Sequence, residues 1–346
     1  VAKGTVSAEF SALRAARNAQ TVLRSGVTSV SVPGGTWFID VALREAISAG
    51  LIEGPRIYCA GRFIGTYGSI SDNEPSWVGS PEHALSILCN TPDEMVTEAR
   101  RQLKHGVDYI KLADSTWGDD QTIAPHELQA VVDEARRRNA RVAIHARGPG
   151  STRSAALAGI DWIMHCDMAE EGDLEVVAKQ GTRIMPSATF MMEGLRMAEE
   201  PEGKGLPVDL IRRNVEGLIK TLELSRKFGI KMMCGTDSGN STIMTYGDHH
   251  AKEAEIFVKY AGFSPVDAIA AITRDTAFSM GMEGQLGTIE NGMIADVIIL
   301  NADPVADIKV LQGGKHLANV IKDGKLVDLN GGATQAEQLQ FASATV

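Results

Sequence analysis

Four apolar segments carry residues able to do chemistry. Tyr109-Ile110-Lys111-Leu112 sets a lysine inside an apolar run. Ala143-Ile144-His145-Ala146-Arg147 and Ile163-Met164-His165-Cys166-Asp167 each set a histidine there, and Met233-Cys234-Gly235-Thr236-Asp237-Ser238-Gly239 finishes on an aspartate. A polar group in such a run is costly to bury unless it is paired or ligated. Taken singly, each has a plain explanation: a satisfied core histidine, a lysine reaching the rim, an aspartate opening a turn. Taken together, two imidazoles and a carboxylate at the ends of successive strands predict a divalent metal site, because these groups are ordinary ligands of such ions. Lys111 is the odd member, since metal ions repel an ammonium. Burial favours the neutral amine, and a neutral amine can take up carbon dioxide. The resulting carbamate has two oxygens, suited to bridging two metals about 3.5–4 Å apart.

The elements that must position these groups alternate. Helical stretches at 8–25, 41–49, 91–105, 125–139, 151–158, 173–180 and 208–228 are interleaved with apolar strands beginning near Val27, Pro55, Val107, Arg141, Ile160, Thr182 and Lys231. Most of these helices stop at a glycine or polar residue just before the strand, as C-caps do. The alternation predicts an α/β fold with a parallel sheet. In barrels and open sheets alike, sites lie at the C-terminal edge of the strands. Seven strands fall one short of a closed barrel, and the expectation is that the eighth precedes Val1. Residues 61–80 read as one long rim-side loop. After helices at 249–261 and 265–280, short strands at 286–289, 294–300, 318–322 and 325–327 predict a small antiparallel unit with turns at Asn291-Gly292 and Asp323-Gly324. The expected organisation is a barrel over 1–284, part of a small β-sandwich over 285–330 and a loose tail over 331–346.

The chain resembles the amidohydrolase superfamily, in particular the imidazolonepropionase-like and Xaa-Pro-dipeptidase-like metal hydrolases. The resembling segments are Ser25–Val30, Gly54-Pro55-Arg56, Gly106–Lys111, Ile144-His145-Ala146, Ala158–His165, Cys234–Gly239 and Gly287–Asp296, in the family's order over nearly the whole chain. The resemblance implies a TIM-like (β/α)8 barrel with a small β-sandwich, and hydrolysis of an amide, urea, carbamate or related C–N bond. It implies two zinc ions per chain, with carbamylated Lys111 as the bridging ligand and His145 and His165 holding the second metal. Asp237 would bind the first metal and shuttle the proton of the attacking water. One departure stands out: the family's first strand carries His-x-His, and this sequence has none. The missing pair and the missing strand point to the same segment before Val1. A catalytically impaired relative that binds small molecules is the alternative this departure allows.

Further candidates surround the same edge. Alternation sets Arg147 and Asp167 on the face of His145 and His165, as substrate contacts or a turn salt bridge. Tyr67, in the long loop, and His249, beyond the Asp237 strand, are candidate substrate contacts. Cys166 and Cys234 have the opposite parity and are expected to fill space against helices. Asp40 and Asp296 suggest only turns and caps. The net charge of −10 and the absence of a long basic block argue against a nucleic-acid partner. No apolar run reaches the about 18 residues of a membrane span. Four cysteines without short paired spacing suit a reduced, cytoplasmic setting. A homo-oligomer acting on a small molecule is the expectation.

Overall fold

The computed structural model describes residues 6–201, 205–239 and 245–330, so the expected loose tail lies outside the described residues. Helix α1 (Ala8–Arg24) leads into β1 (Ser29–Val32), α2 (Ile39–Ser48) and β2 (Arg56–Cys59). Strands β3 (Phe63–Gly65) and β4 (Ser86–Leu88) follow, where the sequence suggested only loop. Then strand and helix alternate: α3 (Pro92–Lys104), β5 (Tyr109–Ala113), α4 (Pro125–Arg137), β6 (Arg141–Ala146), α5 (Pro149–Leu157), β7 (Trp162–His165), α6 (Glu171–Gln180), β8 (Arg183–Met185), α7 (Ala188–Ala198) and α8 (Val208–Phe228). Helices α9 (Lys252–Tyr260) and α10 (Pro265–Ala270) precede a small antiparallel sheet of β9 (Val297–Leu300), β10 (Leu317–Lys322) and β11 (Lys325–Leu326). Among the described residues no helix is long and apolar enough to cross a membrane.

The local reasons are ordinary. Thr91 caps α3 by accepting from the Glu94 N–H, and Pro92 occupies the first turn, where its missing donor costs nothing. Strand β5 is buried along its whole length, as a parallel strand covered on both faces must be.

All strand pairs before residue 200 are parallel, in the orders β1-β2 and β4-β3-β5-β6-β7-β8. Between β2 and β3 the chain bends. Gly61 makes the bend at φ +70°, and a Cβ there would lie 2.2 Å from Gln102 Oε1, so glycine is required twice over. Two expectations fail. The segment 231–235 is not a strand but touches β8 through a single bridge, Ile184 to Met232. Residues 286–289 form no strand but a bend, and the sequence missed α7 altogether.

Strand alternation sorts the core into two layers. Ile110, Leu112, Val142, Ile144, Ile163 and Ile184 pack outward under the helices. Ala60, Tyr109, Ala143, Trp162, Met164, Met185 and Met233 pack inward against one another. Below them Phe278 closes the N-terminal end of the strands, with the guanidinium of Arg183 at 3.6 Å and that of Arg141 at 4.0 Å from its ring centre. Chemistry is thereby left to the opposite, C-terminal edge. The small sheet is tied to the parallel one by Arg56 on β2, which donates to Asp296 Oδ2 at 2.9 Å and pairs with Asp323. Asp296 is thus an inter-sheet anchor, a role its sequence context did not reveal.

Candidate metal centre

Register carries Lys111 and His145 into the inner layer. Lys111 lies opposite Ala143, and His145 lies opposite Ala113 on one side and Met164 on the other. Lys111 is 2% exposed, and its Nζ donates to Met164 Sδ at 2.8 Å. The ring centre of Phe63, on β3, stands 5.8 Å from the same nitrogen. With a thioether and a phenyl ring for neighbours, burial pushes the amine down to about 7; Asp237 opposes the shift and Arg147 adds to it. A large uncharged fraction is therefore present at neutral pH.

His165 reaches the centre by a different route. Met164 points inward, so strict alternation would turn His165 outward beside Ile163. Instead the backbone turns left-handed at His165 (φ +77°) and Cys166 (φ +58°). Such a conformation costs roughly 1–2 kcal/mol for a residue with a Cβ. It brings the His165 ring edge-on to His145, with centres 4.5 Å apart and planes at 67°. Asp237 (φ +56°) is left-handed as well, so two of the four predicted residues sit on strained backbone, a pattern typical of functional sites. Burial, reinforced by Arg147 and Lys111, holds both imidazoles well below their usual range, so both are neutral at pH 7. His145 Nε2 faces the Ser115 carbonyl at 3.0 Å. A carbonyl only accepts, so the proton is on Nε2 and the lone pair on Nδ1. His165 Nδ1 is buried with no partner among the described residues.

Asp237 follows the segment that bridges to β8 at Met232. Burial raises its carboxyl above the usual range, opposed by Arg147 and Lys111, which places it within electrostatic reach of both. Lys111 thus lies within electrostatic reach of Asp237, His145 and His165.

The surrounding candidates divide. Arg147 (3% exposed) is ion-paired with Asp167 (0% exposed), and Asn214 on α8 donates to the other Asp167 oxygen at 3.4 Å. The guanidinium is thus held in a buried ion pair, while its Nε is buried with no partner among the described residues. Tyr67 is 54% exposed, and the His249 ring faces the Thr245 carbonyl. Among the described residues no hydrogen bond, ion pair or ring contact joins Tyr67 or His249 to the four. Cys166 packs outward with the helices, as expected, but because the left-handed turn at His165 and Cys166 reverses the alternation set by Met164. Sequence reasoning missed Phe63, Met164, Ser115 and Glu253. Glu253, on α9, is fully buried and accepts from Ala188 N, Thr189 N and Thr189 Oγ1 at 3.0, 2.9 and 2.6 Å, fastening the first turn of α7. Alternation from Lys111 would have found Ser115 near the edge; nothing in the sequence announces the others.

The donor set fits a divalent cation in its chemistry. Two neutral imidazoles, one with an orphaned nitrogen, stand beside an amine that burial makes reactive and a carboxylate within its field. Among the described residues no three His, Cys, Asp or Glu side chains gather closely enough to hold a metal on their own.

The sequence profile of the Amidohydrolase family matches residues 2–327. Ochratoxinase of Aspergillus niger is 28% identical over 345 aligned residues, covering 91% of this chain and 68% of the relative. An imidazolonepropionase of Mesorhizobium japonicum is 29% identical over 217, covering 60% and 47%. Among solved structures, a Xaa-Pro dipeptidase with methionine bound in its active site superposes with a TM-score of 0.81 at 28% identity, covering 94% of this chain and 80% of that one.

Proposed function

The chain belongs to the amidohydrolase family, and from that premise we propose that it hydrolyses an amide, urea or carbamate C–N bond in a small molecule or dipeptide. The observation that supports this reading is the contact of the His145 and His165 rings near Lys111, with Asp237 in the field of that amine. The similarity to a Xaa-Pro dipeptidase supports a dipeptide among the substrates to be tried first.

His145, His165 and Lys111, the last as its carbamate, would hold divalent metal, zinc by analogy with the family, and Asp237 would complete the set. When bound, the metal supplies Lewis acidity that polarises the scissile carbonyl and lowers the pKa of the attacking water. Asp237 takes the proton from that water and delivers it to the departing nitrogen. The carbamate forms when the Lys111 amine adds to carbon dioxide and releases one proton. Phe63 and Met164 keep bulk water from the lysine. We read the parallel sheet, within residues 1–284, as a (β/α)8 barrel whose eighth position lies between β1 and the segment at Met232, with 285–330 as part of a second, β domain.

The test pairs metal analysis with turnover of dipeptides, N-acyl amino acids and aryl ureas. Asp237→Asn should lower turnover about 10²–10⁴-fold while retaining most of the metal. Wild-type turnover in this variant would remove Asp237 from the proton path. The alternative of a non-catalytic small-molecule binder draws on the lack of a three-residue His, Cys, Asp or Glu cluster among the described residues. It predicts neither metal nor turnover.

A further inference from the structure

We propose that Asp114 is the positioning residue that fixes the orientation and tautomer of His145, acting through the Ser115 carbonyl. The inference rests on the reading above only in taking His145 to be a metal ligand.

Asp114 is the first residue past β5 and is fully buried. Its backbone prolongs the sheet: its N–H donates to the His145 carbonyl at 3.0 Å, and its own carbonyl accepts from Ile70 N at 2.8 Å. The side chain turns back on its own loop. Oδ1 accepts from Ser115 N at 2.8 Å, Thr122 N at 2.5 Å and Thr122 Oγ1 at 2.8 Å. Three donors on one oxygen close the segment 114–122 into a ring. Ser115 is held a second time, because its Oγ donates to the Asp120 carbonyl at 2.8 Å. The N–H and side chain of Ser115 are both tied, and its carbonyl faces His145 Nε2 at 3.0 Å. The imidazole must present a proton there, which turns the Nδ1 lone pair to the opposite side of the ring. Partners of this kind, one shell behind a metal-bound histidine, are typically worth about 10–100-fold in metal affinity.

The arrangement separates Asp114 from a merely structural carboxylate. Oδ2 has no partner among the described residues, so the work is done by Oδ1 alone. Asp114→Asn keeps an acceptor oxygen for all three donors, whereas Asp114→Ala removes it. Thr122→Val removes one of the three and leaves the buried volume almost unchanged.

The experiment reads two properties of the full chain. One is the Nε2–H proton of His145 by NMR in histidine-labelled protein, assigned by its loss in His145→Ala, together with its protection from solvent exchange. The other is zinc affinity by chelator competition. The wild type and Asp114→Asn are expected to share a protected proton and the same affinity. Asp114→Ala should lose the protection, with affinity down about 10–100-fold, and Thr122→Val should fall between. Protection and affinity unchanged in Asp114→Ala would overturn the proposal. If that variant does not fold, Thr122→Val decides: lost protection supports the proposal, and unchanged protection overturns it. The proton measurement needs no metal, so a wild type that binds no zinc would refute the metal reading and leave this test standing.

Discussion

Replacing Asp167 by asparagine tests whether Arg147 belongs to the architecture or to the substrate. Asparagine keeps the shape and one acceptor oxygen and removes the charge. Arg147 is 3% exposed and Asp167 0%, so solvent cannot take over the lost partner. Stranding one member of such a buried pair costs about 3–5 kcal/mol. A folded domain holds only about 5–15 kcal/mol in all, so the loss is a large share. For a chain of 346 residues, an unfolding entropy of about 2.1 cal/mol/K per residue converts 4 kcal/mol into a fall in Tm of about 5–6 °C. Urea titration followed by circular dichroism gives the first number, and a thermal scan gives the second. The double variant Arg147→Met with Asp167→Leu removes both charges and should recover most of the loss, because apolar residues of similar volume commonly replace a buried pair without penalty. A loss under about 1 kcal/mol in Asp167→Asn, below the range expected for a buried pair, would refute the argument. So would a double variant no more stable than the single one. Arg147 would then be free to meet an anionic substrate.

Two other outcomes follow from packing and burial. Gly217 lies inside α8, where alanine ordinarily gains about 0.5–1 kcal/mol. Here a Cβ would lie 2.0 Å from the Asp167 carbonyl oxygen, so Gly217→Ala should destabilise by about 1–3 kcal/mol, and a more stable variant in urea would contradict the close contact of α8 with the 166–167 turn. Glu253 has its carboxyl pushed up to about 7, chiefly by burial, with Asp237 also raising it and the bonds from Thr189 and Ala188 opposing. The folded state then binds more protons than the unfolded one between the ordinary carboxyl pKa and about 7, so stability falls as pH rises through that window. Glu253→Gln should flatten this slope, and an equally steep pH profile in the variant would exclude Glu253 as its source.

Local signals determined much of this protein. Helix periodicity, caps such as Thr91-Pro92 and the recurrence of short apolar runs depend on neighbours in the chain, so α1, α3 to α6, α8 and the order of parallel strands could be read directly. The types and spacing of Lys111, His145, His165 and Asp237 were legible for the same reason: a polar residue in a buried run is conspicuous without any structure. What the sequence could not carry was decided by groups far apart along it. Alternation misdirects at His165, where Met164 takes the inward place and a left-handed turn returns the imidazole to His145. Arg147 is claimed by Asp167, whose other oxygen accepts from Asn214 on a helix many residues later. The first turn of α7 is fastened by Glu253, and the bend at Gly61 divides what read as a strand and a loop into β2 and β3. Each of these depends on which charges and donors share a water-free interior, a property that exists only once the chain has closed around them.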